Sequence, residues 1–386
     1  QPGAPVAAAD GPYSVDAGGT LTITAADIND LLDNDDLGTP EGTITIFGGG
    51  VQAGTSTPFL GGTLTVNADG SFTLDGATTP GAHSFDYEVR NSMGASTATV
   101  TVVVRSAPTA HDDVLTVVLG SPLTGNLRAD NGAGADERGH PAATVVSFVV
   151  DTTSIPAPGA SALAGGVLTV SVNGGVTLTG ATETGVFTFR YTLQNVVGSS
   201  EGDVSITISQ PPAAADDTFV VLVNTALNGN VTVENAGAAD DLGFPEATAT
   251  TMATMVAGSP LTFNTDGTFS VTPSTPGEFT FEYTLVNTAG SSVGRVSIRV
   301  QQMPVAADDA FMVAVNLPAT GTVTLDNGSG ADVLGFPAGV VTTTSTTLGG
   351  VAFTLNPDGS LALLTYVWGK MTTEAGSVKG VLMAVG

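Results

Sequence analysis

The stretch FEYTLVNTAGSSVGRVSIRV, residues 281–300, decides the fold. Phe281, Tyr283 and Leu285 alternate with polar residues. After a turn around Ala289-Gly290-Ser291-Ser292, Val296, Ile298 and Val300 alternate again. A period of two places one set of side chains on a single strand face. Two such runs joined by a glycine-bearing turn read as an antiparallel hairpin with one buried face. The pattern recurs upstream, as FDYEV at 85 leading through MGAS into TATVTVVV at 97, and as FRYTL at 189 leading through VGSS.

Three further markers precede each hairpin in a fixed order. A proline-alanine-acid opening reads PVAAADGPYSV at 5, PTAHDDVLTV at 108, PAAADDTFVV at 212 and PVAADDAFMV at 304. An acidic turn ending in proline reads DDLGTP at 35, DERGHP at 136, DDLGFP at 240 and DVLGFP at 332. A tight turn reads NADGSF at 67, NTDGTF at 264 and NPDGSL at 356, with a degenerate VNGGV at 172. Such Asn/Asp-Gly pairs suit the positive φ of hairpin turns. Internal repetition at this scale marks an array, with units at 1–105, 106–210, 211–302 and 303–386. Several short Val/Thr/Ile/Phe runs per unit predict an all-β chain of four sandwiches with Greek-key connections. Only AADINDLLDNDD at 25 has helical spacing (Ile28, Leu31, Leu32), enough for a turn or two.

Composition narrows the function. Nine Lys+Arg against 36 Asp+Glu give a net charge of −27, and cysteine is absent. Disulfides, zinc-thiolate sites and cysteine catalysis are excluded, and nucleic acid is excluded as a partner for want of a basic surface. No run reaches the length of a membrane helix. No secretory signal is visible, which fits either its removal before Gln1 or excision from a longer chain. The only lysines, Lys370 and Lys379, fall in unit four, so Lys–Asn isopeptide staples are impossible in the first three.

Phe85 with Tyr87, Phe189 with Tyr191, and Phe281 with Tyr283 are read as inward core pairs, the tyrosine hydroxyl needing a backbone partner as in a tyrosine corner. The adjacent pairs Asp112–Asp113, Asp216–Asp217 and Asp308–Asp309 sit between successive units, with Asp136, Asp240 and Asp332 at a matched place in the acidic turn. Carboxylates so gathered suit calcium, which takes several oxygen ligands. They equally suit turns and solubility. Asp10 precedes Gly11, so unit one lacks half the pair. His83, His111 and His140 each replace an ordinary residue of the sister units, with no nucleophile or acid introduced beside them, so the chain is read as non-catalytic. Asn230 and Asn327 lie in Asn-x-Ser/Thr patterns, a weak glycosylation signal.

Unit four departs from the rest. Its turn asparagine and strand tyrosine are Asn356 and Tyr366, where unit three runs from Asn264 to Tyr283, and the only Trp, Trp368, follows. Either the unit is a terminal cap, or its sandwich is incomplete and accepts a strand from another chain. The segment QPGAPVAAAD at 1 is the candidate donor.

The opening, the acidic turn, the N-x-D-G-[ST]-F turn and the F-x-Y-x-[VL] strand together resemble bacterial cadherin-like and immunoglobulin-like tandem repeats of secreted adhesins and surface proteins. The resemblance implies immunoglobulin-like (Ig-like) sandwiches in an extracellular, rod-like array with calcium at the junctions. The expected function is structural: a subunit or segment of a bacterial fibre, stalk or surface layer, self-assembling by strand complementation, with further copies or a longer repeat chain as partners. The alternative is an adhesin module recognising glycan or a host surface, for which SFVVDTTSIPAPGASALAGG at 147 is the candidate enlarged loop. A third is an accessory segment of an enzyme.

Overall fold

A computed structural model describes residues 1–314, 317–343, 347–348, 351–363, 371–372 and 379–385. Gln1–Ile208 forms one compact body and Ser209–Gly386 a second. Every regular element among the described residues is a β-strand.

The first body begins with nine strands: β1 (Asp10–Asp16), β2 (Thr20–Ile23), β3 (Thr43–Phe47), β4 (Val51–Gln52), β5 (Ser56–Phe59), β6 (Gly62–Val66), β7 (Phe72–Asp75), β8 (Gly81–Asn91) and β9 (Gly94–Arg105). They make two sheets, ordered β1-β9-β8-β3-β4 and β2-β7-β6-β5. β1 runs parallel to β9, whereas β8 and β9 are an antiparallel hairpin with Phe85 opposite Val100 and Tyr87 opposite Ala98. The alternation read from the sequence is the reason: Phe85, Tyr87 and Val89 point inward and meet Val100, Val102 and Val104 in one core. Phe72 stacks edge-on against Phe85 and Tyr13 at 6.1 and 5.0 Å. Burying each such ring contributes about 1.5–3 kcal/mol.

The rest of this body repeats the plan. A five-stranded sheet holds Asp113–Val118, Ser199–Ser209, Gly185–Gln194, Thr144–Val150 and Thr153–Pro156, and a four-stranded sheet holds Leu123–Asn126, Gly175–Thr179, Gly166–Val170 and Gly159–Leu163. A separate core forms between them around Phe148, Phe189 and Tyr191. The stretch at 147 is therefore not an enlarged loop. It supplies edge strands in both sheets, as β4 and β5 do in unit one.

In the second body, Asp217–Leu222 lies parallel to Gly290–Gln301, which is paired in turn with Gly277–Asn287. Phe281 and Tyr283 lie in the core with Val296 and Ile298. Farther on, Asp308–Ala314 runs parallel to Lys379–Val385, the relation β1 bears to β9, and Ala319–Thr322, Ser360–Leu363, Val351–Leu355 and Thr347–Leu348 form a four-stranded sheet. Tyr366, Trp368 and Lys370 lie outside the described residues.

Two expectations change. Residues 25–36 form turns rather than helix. Asp30 accepts the Leu32 N–H (2.7 Å) and the Gly70 carbonyl accepts the Leu31 N–H (3.1 Å), so amides a helix would need are spent elsewhere. Leu31 is buried and Ile28 exposed, which breaks the helical stripe. Nor is the segment 1–9 free to be donated. Gly3 is bridged to Thr39 and Val6 to Asp36 within the same unit.

Candidate functional site

Those bridges belong to a feature built in every unit. The segment leading into the first strand lies against the acidic turn: Gly3 with Thr39 and Val6 with Asp36, Ser106 with His140 and Thr109 with Glu137, Gln210 with Phe244 and Ala213 with Asp241, Gln302 with Phe336 and Val305 with Val333. The turn's glycine makes this approach feasible. Gly243 has φ +68°, and a Cβ there would stand 2.3 Å from the Gln210 carbonyl oxygen. Gly38, Gly139 and Gly335 are in the same position.

Two side chains fasten the lead-in segment. The first is the tyrosine of the aromatic strand. Tyr191, fully buried, donates its hydroxyl toward Asp136 (2.8 Å to each oxygen) and the His111 carbonyl (3.0 Å), while the His111 N–H donates to Asp136 Oδ1 (2.8 Å). Tyr283 repeats this with Asp240 (2.9 Å) and the Ala215 carbonyl (2.8 Å), and the Ala215 N–H donates to Asp240 (2.6 Å). Tyr87 does so with Asp35 and the carbonyls of Ala8 and Leu31. In unit four the Ala307 N–H donates to Asp332 (2.6 Å). The hydroxyl thus reaches backbone, as the sequence suggested, and reaches the acidic turn as well. Burial pushes the carboxyls of Asp35 and Asp240 above their ordinary value.

The second fastener is an asparagine that sequence reasoning missed. Asn195 donates to the Ser106 and Pro141 carbonyls (both 2.8 Å) and accepts from the N–H groups of Val197 (2.9 Å) and Gly198 (3.1 Å). Asn91 ties Gly3 to Pro40, and Asn287 ties Gln210 to Pro245, in the same way. The available signal was Asn-x-x-Gly at 91, 195 and 287, one per hairpin turn.

The paired aspartates do not face one another. Consecutive residues of an extended chain point to opposite sides. Asp112 is exposed and accepts the Asp203 N–H (2.9 Å), as Asp216 accepts that of Arg295 (3.0 Å). Asp308 is likewise exposed. Their neighbours turn inward: Asp113, Asp217 and Asp309 are at most 3% exposed. Each accepts from an asparagine amide, namely Asn131 (2.7 Å), Asn235 (2.9 Å) and Asn327 (3.0 Å). Each leaves its Oδ2 without a partner. Burial pushes the Asp113 and Asp217 carboxyls up to about 6 and raises that of Asp309. Among the described residues no three acidic or histidine side chains gather as a set able to hold a metal ion. Asn327, with its amide spent on Asp309 and the carbonyls of Thr322 and Leu325, is poorly placed to carry a glycan.

Residues 2–103 match the bacterial Ig domain family. The matched residues are the first of the repeats described above, and the later units follow its plan. Their β8–β9 hairpins, lead-in segments and acidic turns recur in the order the sequence set out. Among solved structures, the chain is similar to Ig domains 1–4 of Sidekick-1, with 13% identity over 99% of both chains and a TM-score of 0.36. It is also similar to extracellular domains 3–5 of Drosophila OTK, with 12% identity over 77% of this chain and 95% of that one and a TM-score of 0.36. An I-band fragment of titin aligns at 13% identity over 77% and 99%, with a TM-score of 0.33. No curated protein matches the chain. No helix among the described residues is long and apolar enough to cross a membrane.

Proposed function

We propose that these Ig-like repeats are a non-catalytic structural segment of an extracellular bacterial fibre, stalk or surface layer, working as one of several linked copies or as part of a longer repeat chain. The observation that carries this reading is the absence of slack where one sandwich leads into the next. In the first body β9 ends at Arg105, and the adjoining residue, Ser106, is already bridged to His140. In the second, Gly290–Gln301 is succeeded at once by Gln302, bridged to Phe336. A flexible tether would need several unpaired Gly/Ser residues at such a point. A mechanical or spacing role is served by its opposite.

Limited proteolysis of the full chain tests this. Residues 103–110 and 300–306 should resist cleavage as well as the strands do, and preferential cutting there would defeat the spacer reading. Electron microscopy addresses self-assembly separately: no filaments in any salt or calcium condition would remove assembly as a property of this chain alone. The adhesin reading rests on one feature, an open cavity of about 560 Å³ bordered by Val149, Asp151, Thr188, Arg190, Glu201 and Asp203. A glycan array on which the full chain binds nothing would count against it.

A further inference from the structure

The tight turn of the second repeat differs from its sisters at two residues that meet in space. Where the others read Asp-Gly, at Asp69, Asp266 and Asp358, this one reads Asn173-Gly174. The side chain beside the turn glycine is Leu32, Thr232 or Thr324 in the sisters and Arg128 here. A Cβ on Gly174 would stand 3.0 Å from Arg128 Cγ and 3.1 Å from its Nε. Arg128 is half-buried, and no ion pair among the described residues includes its guanidinium. Asn173 is exposed. Its Oδ1 accepts from the Ser171 hydroxyl and from the Gly175 N–H (3.4 Å), and its Nδ2 donates to no described residue.

Asparagine followed by glycine cyclises readily, because the bare glycine lets its backbone nitrogen approach the side-chain carbon. The chain has four such pairs. Asn131 spends its Nδ2 on Asp113 (2.7 Å) and the Asn126 carbonyl (2.9 Å). Asn327 spends its own on Asp309 and the Thr322 and Leu325 carbonyls. Asn228 is fixed in the strand Leu227–Asn230, opposite Ser270. Asn173 combines a free leaving nitrogen, a carbonyl polarised by two donors, and a cation beside the attacking residue.

We propose that Asn173 is a self-modification site, at which the Gly174 backbone nitrogen attacks Asn173 Cγ and the chain acquires the aspartate that its sister turns encode. The Gly174 nitrogen gives its proton to solvent base and bonds Cγ. The Cγ–Nδ2 bond breaks, and Nδ2 takes up a proton and departs as ammonia, leaving a cyclic imide. Water then adds to Cγ and the Gly174 N–Cγ bond breaks, giving a carboxylate and restoring the Gly174 N–H. The net change is amide plus water to carboxylate plus ammonium, with no oxidant or reductant.

Arg128 stabilises the charge that develops on the attacking nitrogen and on Oδ1, and then the carboxylate formed. The Gly174 N–H is held by the Ser171 carbonyl (3.0 Å), so attack waits on local opening of the turn and the conversion is slow. The product suits the turn. Asp69 and Asp266 accept the N–H groups of Ser71 (3.1 Å) and Thr268 (3.0 Å), the place where Asn173 accepts that of Gly175. Opening the imide at its other carbonyl would add a carbon to the backbone between Ser171 and Gly175, whose N–H···O bond of 2.9 Å closes the hairpin. The inference is independent of the spacer reading.

The test holds the full chain, folded, in mildly alkaline buffer and follows the peptides spanning all four Asn-Gly pairs by mass spectrometry over time. Asn173 should convert several-fold faster than Asn131, Asn228 and Asn327. In denaturant, where every pair is open, that ranking should collapse. Arg128→Gln should slow the conversion of Asn173 several-fold in the folded chain. Asn173→Asp should melt no lower than wild type, since its turn becomes that of the sisters. An Asn173 that keeps its amide as long as Asn131 does would overturn the proposal. So would a ranking that persists in denaturant, a rate that Arg128→Gln leaves unchanged, or a lowered melting temperature in Asn173→Asp.

Discussion

Replacing Asn287 with alanine removes one side chain and four hydrogen bonds. Its Nδ2 donates to the Gln210 (2.8 Å) and Pro245 (2.7 Å) carbonyls, and its Oδ1 accepts from the N–H groups of Ala289 (2.8 Å) and Gly290 (3.1 Å). At about 1 kcal/mol net for each neutral bond, the ceiling is about 4 kcal/mol. The Pro245 bond is exposed, so water replaces much of it, and the hairpin amides keep partial access to solvent. The expected loss is therefore about 2–3 kcal/mol. Denaturant unfolding of the full chain, followed through the transition of this repeat, measures it. Amide exchange localises it: Gln210 and Phe244, which exchange N–H···O bonds of 2.7 and 2.9 Å, should lose protection before any core strand does. Asn287→Asp keeps the acceptor oxygens but sets a carboxylate against two carbonyls, so it should cost at least as much as alanine. A loss below about 0.5 kcal/mol with unchanged exchange at Gln210 and Phe244 would refute the view that this asparagine holds the lead-in segment.

Tyr191→Phe keeps the ring and deletes the hydroxyl that meets Asp136 and the His111 carbonyl; unfolding should show a loss of about 2 kcal/mol, and none would mean that water serves Asp136 equally well. Gly243→Ala places a Cβ 2.3 Å from the Gln210 oxygen at φ +68°, so calorimetry should record about 1–3 kcal/mol of destabilisation, with the repeat at Gln1–Arg105 unaffected. Arg190→Gln removes ion pairs to Asp203 (2.7 Å) and Glu201 (3.4 Å) on an exposed sheet face, and should leave the melting temperature unchanged.

The strands and hairpins were legible because their signals are local. The alternation in FEYTL and the Asn-x-Asp-Gly turns need no knowledge of distant residues, and Asn67, Asn264 and Asn356 each close their turn onto the residue four further along. The lead-in segments were not legible. Each pairs with its acidic turn through two isolated bridges some thirty residues away, too few to leave a period. Asn91, Asn195 and Asn287 were missed, since nothing local says that an amide reaches the lead-in carbonyls. The paired aspartates are more instructive. The period-two rule that turned Phe281 and Tyr283 inward also separates Asp216 from Asp217, sending one to solvent and the other to the core. Treating adjacent carboxylates as one site set that rule aside. The 25–36 segment erred in the other direction: its apolar spacing suited a helix, but Asp30 and the Gly70 carbonyl took the Leu32 and Leu31 amides.

The tyrosine and the asparagine that fasten each lead-in segment act on the same few residues, and their position gives the acidic composition a structural meaning. In the first body, Arg105 is held by unit one: its guanidinium pairs with Asp16 (2.9 Å) and its carbonyl accepts the Ala17 N–H (2.7 Å). Ser106 is held by unit two, donating to the His140 carbonyl (2.8 Å) and accepting from Asn195 (2.8 Å). No residue between them is free to absorb motion. Loosening the lead-in segment therefore also releases the end of β9, and the two sandwiches share a stabilising term, as neighbouring units of a repeat array do. That term depends on carboxyls at Asp113 and Asp136 which accept hydrogen bonds from tyrosine, asparagine and backbone N–H groups. Lysine could accept none of them. Acid at the junctions is thus part of how one repeat is joined to the next, while the strand cores remain almost free of charge.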